Sequence, residues 1–144
     1  MRKLLLKSLV QGPLTEPAPA ADEAALAELA ARGIHPASGE RMAREQPALA
    51  HLYGHILELA DGAFREQVRQ RLGELRTRSP ALLERLAMPV LFITGDEDWV
   101  FPPMAGPLLA ALAPQGQALR VPAAGHSVYF ERAALFNEAL GRFL

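Results

Sequence analysis

The chain contains no cysteine and carries almost no net charge, and both absences narrow the chemistry it can perform. Without cysteine it has no disulfide, no thiolate metal ligand and no cysteine nucleophile. A net charge of −1 offers no strong electrostatic attraction to nucleic acid or to an anionic membrane surface. No stretch approaches the roughly 20 apolar residues that a membrane-spanning helix needs. The composition therefore predicts neither a nucleic-acid partner nor a membrane partner.

The sequence also lacks the features of a signal peptide. It begins with basic residues, but the apolar core that follows is short, Lys7 interrupts it, and no clear small-residue cleavage site comes after it. The rest of the composition is ordinary: 144 residues, of which 50% are hydrophobic and 22% charged, suit one soluble globular domain. We therefore expect a cytoplasmic protein.

Apolar runs of strand length and strand composition predict a short sheet of about three strands, at residues 4–10, 89–94 and 118–121. Helical segments at about 103–112 and Ala133–Phe143 follow the second and the third run. Strands that alternate with helices indicate a parallel sheet with flanking helices, so the predicted fold class is α/β.

The segment between the first and second strands has a helical pattern and is far too long for a single crossover helix. Apolar residues at helical spacing predict three helices, and Ser79-Pro80 predicts the capped start of a fourth helical segment. These lie at about 23–32, 47–60, 63–76 and 79–86. Gly33 is the expected stop of the first helix. We therefore predict an α/β core formed by residues 1–14 and 87–144, with a helical cap inserted at 15–86.

Two side chains with catalytic potential follow neighbouring strands. Asp98 lies three residues after Gly95, which ends the second strand, and His126 follows the third strand directly after Gly125. The carboxyl ends of parallel strands meet at one edge of an open α/β sheet, where ligands bind. A lone loop aspartate usually only caps a turn, and a lone loop histidine is more often structural. The pair, in this chain order, nevertheless predicts the Asp–His contact that activates a nucleophile.

A family resemblance supports this interpretation. The pattern G-D-E-D-W-V-F-P-P from Gly95, followed by V-P-A-A-G-H-S-V-Y-F-E from Val121 and by a terminal helix, resembles the C-terminal half of an α/β-hydrolase. The resemblance implies that Asp98 is the acid and His126 the base of a Ser-His-Asp triad, with residues 15–86 in the place of the family's helical lid. It also implies hydrolysis of a small ester, lactone or thioester, with no cofactor.

The sequence departs from that family in one large respect. It has no nucleophile elbow, the G-x-S-x-G motif on a strand-to-helix turn, and no half that carries the oxyanion-hole loop. The serines, none of which lies in such an elbow, are Ser8, Ser38, Ser79 and Ser127. A base and its orienting acid cannot perform acyl transfer by this mechanism alone. The first strand would also present an open sheet edge, where we expect a complementary chain or a second copy to pair.

Two other features have competing interpretations. Trp99, next to Asp98, can form the wall of a substrate pocket, but ordinary packing at the sheet edge explains it as well. His51 and His55 are four residues apart on a predicted helix, a spacing that can place two imidazoles on one metal ion. The H-E-x-x-H motif needs Glu where this chain has Leu52, and no third ligand is evident. We therefore expect a partly exposed cap helix and no metal site.

Three functional hypotheses follow. In the first, the chain is a truncated hydrolase that needs a nucleophile-bearing segment from elsewhere. In the second, it is a non-catalytic remnant that binds a partner or a second copy of itself, as a homo-oligomer, through its cap and its open sheet edge. In the third, it is a standalone enzyme that uses Asp98 and His126 as acid and base without a covalent step.

Overall fold

The fold is built on a parallel sheet of three strands in the order β1-β2-β3. In the computed structural model, which describes residues 4–5, 23–59, 62–75 and 79–144, these strands are β1 (Leu4–Leu5), β2 (Val90–Gly95) and β3 (Gly116–Val121). Leu4 is in register with Val90, and Val90 with Gly116. The predicted α/β class with about three parallel strands is confirmed. Residues 6–10 of the first predicted strand lie outside the described residues.

Helices account for most of the remaining described chain. The α-helices are α1 (Glu23–Ala31), α2 (Glu40–Glu45), α3 (Pro47–Glu58), α4 (Gly62–Leu75), α5 (Ala105–Leu112), α6 (Val128–Glu131) and α7 (Ala133–Phe143), with a 3-10 helix at Pro80–Arg85. The predicted helices are thus present with shifted ends. The division into a core and a cap at residues 15–86 stays a prediction.

The sheet is the centre of the packing because β2 is buried along its length. Val90 and Phe92 of β2 pack with Leu109 and Ala110 of α5 in one apolar cluster. A second cluster, formed by Val121, Ala124 and Val128, lies at the carboxyl end of β3. Burial of this apolar surface is the dominant favourable term in folding. It fixes the carboxyl ends of β2 and β3 side by side.

Two predicted boundaries were wrong for identifiable reasons. The third strand starts at Gly116, not at residue 118, because Gly116 and Gln117 pair through their backbones with β2. Their side chains need not be apolar for that, since within the described chain β3 is at the edge of the sheet. Helix α5 starts at Ala105, not at Pro103, because Pro103 lies in a turn that the Ala105 N–H closes on the Pro102 carbonyl at 2.8 Å.

Gly33 ends α1, as predicted. Its φ of +68° lies in the left-handed region that glycine adopts without steric cost. The Gly33 N–H donates to the Ala30 carbonyl at 3.0 Å, and the Ile34 N–H donates to the Leu29 carbonyl at 2.9 Å. These bonds satisfy carbonyl groups that the helix end leaves without partners.

The helices give no membrane signal. Within the part of the chain that the structure describes, none is both long enough and apolar enough to cross a bilayer.

Gly33→Ala tests this helix stop. A Cβ on Gly33 would contact nothing within 4 Å, so its cost comes from the positive φ, and we expect a loss of about 1 kcal/mol in the free energy of unfolding. Gly54 in α3 is the matched control, because a Cβ there also contacts nothing and Gly54→Ala should stabilise the protein by about 1 kcal/mol. Urea denaturation measures both, and changes of the same sign would contradict the prediction.

Candidate active site

Asp98 lies in the loop that follows β2, and its carboxylate fixes that loop. The Oδ1 atom accepts the backbone N–H groups of Val100 at 2.9 Å and Phe101 at 2.8 Å. This is the local turn that an aspartate side chain commonly forms. The side chain is only 3% exposed. Oδ1 thus accepts hydrogen bonds within the turn, and Oδ2 can accept a hydrogen bond from another residue.

That partner is His126, in the loop that follows β3. The His126 Nδ1 atom lies 2.9 Å from Asp98 Oδ2. An ionised carboxylate only accepts, so Nδ1 carries the proton and donates it to this bond. The Nε2 atom on the far side of the ring then has a free lone pair. Since the His126 side chain is 18% exposed, the pair can act as an oriented base.

The two loops meet because the backbone after β3 passes directly over the end of β2. The Asp96 N–H donates to the Val121 carbonyl at 3.0 Å, and the Glu97 N–H donates to the Ala124 carbonyl at 2.9 Å. A Cβ on Gly95 would collide with the carbonyl oxygens of Ala124 and Gly125. The glycine that ends the strand is therefore required by this close approach.

Ala123, in the turn between β3 and His126, has a φ of +56°. A non-glycine residue in this region stores strain of about 1–3 kcal/mol and persists only where its surroundings impose it. Such outliers cluster at functional sites, and this one lies three residues before His126.

The side chain of Glu131, at the end of α6, binds the histidine loop, which consists of residues 122–127 between β3 and α6. Its Oε2 atom accepts the N–H groups of Gly125 at 2.9 Å and of Gly39 at 2.8 Å. Its Oε1 atom accepts the N–H of Ser127 at 3.3 Å. Backbone N–H groups are the partners that a buried carboxylate needs. Glu131 therefore joins two nearby positions of the loop that carries His126 to Gly39, which is far away in the sequence.

Tyr53 of α3 makes a second connection to this loop. Its hydroxyl lies 2.8 Å from the Ser127 Oγ atom, and its ring is 5.2 Å from that of Phe130. Burial raises the pKa of the Tyr53 hydroxyl, against a smaller opposing effect of the Ser127 hydrogen bond. The hydroxyl is therefore protonated at neutral pH. The helical segment between β1 and β2 is thus hydrogen-bonded to the residue next to His126.

The other predicted side chains have simpler surroundings. Trp99 is exposed beside Asp98, and its contribution to a substrate pocket stays a prediction. Asp96 forms an ion pair with Arg120 at 2.8 Å. The described serines all have other partners: Ser38 donates to the His35 carbonyl, Ser79 caps the 3-10 helix and Ser127 contacts Tyr53.

His51 and His55 pair with each other on the exposed surface of α3. Their Nε2 atoms are 2.9 Å apart, and His55 Nδ1 is 3.1 Å from Glu58 Oε2. Residues 23–59, 62–75 and 79–144 contain no group of three or more His, Cys, Asp or Glu side chains arranged for a metal ion. A surface hollow of about 530 Å³ along α4, lined in part by Phe64, Val68 and Leu72, shares no residue with the Asp98–His126 pair.

Comparison with known proteins identifies the family. The family model for the alpha/beta hydrolase fold matches residues 23–133, a stretch that contains both Asp98 and His126 and exceeds half of the chain. The chain belongs to the α/β-hydrolase fold family.

Its relatives include esterases. A pimeloyl-[acyl-carrier protein] methyl ester esterase of Xanthomonas oryzae pv. oryzae is 38% identical over 80 residues, which are 55% of this chain and 32% of that protein. The structure of a thermophilic esterase from Thermogutta terrifontis matches with a TM-score of 0.65 and 26% identity, over 87% of this chain and 50% of that one.

A further structure supports the fold alone. Est816, an N-acyl homoserine lactone degrading enzyme, matches with a TM-score of 0.64 at 24% identity, over 88% of this chain and 52% of that one. The present chain therefore spans about half of these α/β-hydrolase structures, and 32% of the curated esterase.

Sequence reasoning missed Glu131, Gly39 and Tyr53. The spacing of Glu131 from Ser127, four residues on, was a usable signal, because side chains on a helix point back toward its N-terminus. Nothing in the local sequence indicates that Gly39 is the third donor, since it lies 92 residues away from Glu131. The short helix α6 was not predicted either.

Asp98→Asn separates the two tasks of the carboxylate. The Asn carbonyl oxygen can still accept from Val100 and Phe101, so the turn survives, but the amide NH2 then faces His126 Nδ1 and forces its proton to Nε2. ¹⁵N NMR of the histidine rings should show this exchange of tautomers. Asp98→Ala, which also loses the turn, should destabilise the protein by about 1–3 kcal/mol more. An Nδ1-protonated His126 in Asp98→Asn would contradict the geometry described.

Proposed function

We propose that this α/β-hydrolase chain supplies the acid and the base of a Ser-His-Asp triad for the hydrolysis of a small carbonyl ester. The observation that carries the proposal is the 2.9 Å contact between His126 Nδ1 and buried Asp98. The contact leaves Nε2 as the basic atom. It gives the imidazole the orientation that the triad mechanism requires.

The nucleophile in this proposal comes from a segment that is not among these 144 residues. His126 Nε2 takes the proton of a serine hydroxyl as its oxygen attacks the substrate carbonyl carbon. The imidazolium then gives this proton to the leaving alkoxide or thiolate, which departs and leaves an acyl-serine. In the second half His126 takes a proton from water as the water oxygen attacks the acyl carbon. The bond between the acyl carbon and the serine oxygen then breaks, the imidazolium returns the proton to that oxygen, and the carboxylic acid leaves. Asp98 stays ionised and stabilises the imidazolium throughout.

The substrate class we propose is a small ester, lactone or thioester. Its support is the similarity to a methyl ester esterase of an acyl-carrier protein and to an esterase of known structure. The helices before β2 lie next to the site through Tyr53 and Gly39, where a lid would regulate access. The proposed reaction needs no cofactor.

Reconstitution with a nucleophile-bearing segment tests the proposal. The full chain, co-expressed with a family segment that carries G-x-S-x-G, should cleave nitrophenyl esters, and His126→Ala should lower kcat by about 10³-fold because the general base is lost. Size-exclusion chromatography must show that both variants form the complex.

The matched control is His51→Ala, which removes an exposed histidine of α3 that does not contact Asp98. It should leave ester cleavage unchanged. Equal cleavage by the wild-type and His126→Ala complexes would refute the proposed function.

A second candidate function is a binding or oligomerisation module. Leu52 and Ile56 of α3, with Leu59 directly after its end, share one side of the helix and are 50%, 46% and 86% exposed. An apolar stripe of this kind is typical of a surface that another protein covers. Within the described residues β1 pairs only with β2, so the other edge of β1 is a further candidate. The proposed occupant is a second copy of this chain.

Sedimentation analysis tests the second candidate. Wild-type protein should sediment as a dimer, and the double variant Leu52→Glu/Ile56→Glu should be a folded monomer, because two charges cannot be buried in an apolar interface. The control Glu66→Gln alters an exposed residue of α4 and should stay dimeric. A wild-type monomer at high concentration would rule the module out.

A further inference from the structure

Glu131 hydrogen-bonds to the backbone on both sides of His126. Its carboxylate accepts the N–H of Gly125, the residue before the histidine, at 2.9 Å and the N–H of Ser127, the residue after it, at 3.3 Å. The two bonds use different oxygens of the same carboxylate. The Gly125 N–H belongs to the Ala124–Gly125 peptide group and the Ser127 N–H to the His126–Ser127 group. The two bonds therefore restrain the backbone shortly before and directly after the histidine.

Glu131 is buried, so its carboxylate depends on these bonds. The residue is only 3% exposed, and burying a carboxylate costs far more than its packing returns unless its oxygens are fully hydrogen-bonded. All three of its partners are backbone N–H groups, which donate strongly to an ionised acceptor. No contact of Glu131 with the Asp98 or His126 side chain is needed for this effect.

The peptide group between Ala124 and Gly125 is held at both of its ends. The Glu97 N–H donates to the Ala124 carbonyl at 2.9 Å, and the Gly125 N–H donates to Glu131 at 2.9 Å. Beyond Gly125, whose backbone is intrinsically permissive, the Ser127 N–H bond to Glu131 restrains the peptide group that follows His126.

The third bond of Glu131 reaches the segment that enters α2. Gly39 donates to the same oxygen as Gly125, at 2.8 Å. A Cβ on Gly39 would lie 2.7 Å from both Glu131 Oε2 and Gly125 N, closer than any side chain tolerates. The glycine thus allows the segment to share the acceptor with the histidine loop.

We propose that Glu131 is a positioning residue that orients His126 toward Asp98 by holding the Ala124–Gly125 and His126–Ser127 peptide groups and joining them to the Gly39 segment. The proposal rests on the proposed role of His126 as the base. It is tested by the state of the His126 ring itself, so ester cleavage is not required for its outcome.

¹⁵N NMR of the histidine rings in the full chain tests the proposal. In the wild type, His126 should be the Nδ1–H tautomer, held by Asp98. In Glu131→Ala we expect the ratio of the Nδ1–H to the Nε2–H tautomer to fall about tenfold, the change that corresponds to ~1.4 kcal/mol. The reference is the tautomer ratio that the same protein shows when it is unfolded in urea.

Two further variants separate the effect of the hydrogen-bond acceptor from the effect of the negative charge. Glu131→Gln can place its carbonyl oxygen where Oε2 lies and keep the bonds to Gly39 and Gly125, but its NH2 group then faces the Ser127 N–H and loses that bond. Its tautomer ratio should therefore fall less than in Glu131→Ala. Glu131→Asp keeps the charge but is one methylene too short to reach these groups. Its ratio should fall as in Glu131→Ala. These two variants also decide the matter if Glu131→Ala does not fold.

Val90→Ala is the control for a loss of stability alone. Val90 is buried at the amino end of β2, opposite to the end that Asp98 follows, and the variant should lose stability without any change at His126. A native tautomer ratio in both Glu131→Ala and Glu131→Asp would overturn the proposal. So would a ratio that falls equally in Glu131→Gln and Glu131→Asp, because the effect would then not arise from the backbone N–H bonds.

Discussion

The site depends on one close approach, in which the backbone after β3 lies across the end of β2. No side chain fits between Gly95 and the carbonyl groups of Ala124 and Gly125. Backbone hydrogen bonds from Asp96 and Glu97 continue the pairing of the two strands into their loops. This arrangement brings the loops close enough for the His126 and Asp98 side chains to form their hydrogen bond. A sheet that ended at its last paired residues would leave the two loops free to separate.

The sequence was sufficient to predict the sheet edge and the pair because both follow from local signals. Apolar runs that end at glycine define where parallel strands stop, and the residues just beyond such stops have to be neighbours. Asp98 and His126 are found in these places, and their contact agrees with the interpretation made from the order of strands. The helix stop at Gly33 was equally predictable, since a glycine in the left-handed conformation commonly ends a helix.

What the sequence could not provide are the contacts between distant segments. The bond from Gly39 to Glu131 spans 92 residues, and the contact of Tyr53 with Ser127 spans 74. Each depends on how the helices before β2 dock against the histidine loop, which no period or motif encodes. For Glu131 the sequence offered only its four-residue spacing from Ser127, because a four-residue helix is too short to show a periodic pattern. The pairing of Gly116 with β2 at the start of β3 was also missed, because backbone hydrogen bonds between strands do not require an apolar side chain.

In the proposed mechanism, the bond between Tyr53 and Ser127 has a consequence for the base. Ser127 adjoins His126 in the chain, and a free hydroxyl there would compete with the nucleophilic serine as proton donor to the base and as the group that is acylated. Ser127 is instead buried, and its hydroxyl lies 2.8 Å from that of Tyr53. On this proposal, the helix that carries Tyr53 keeps a competing nucleophile out of the reaction.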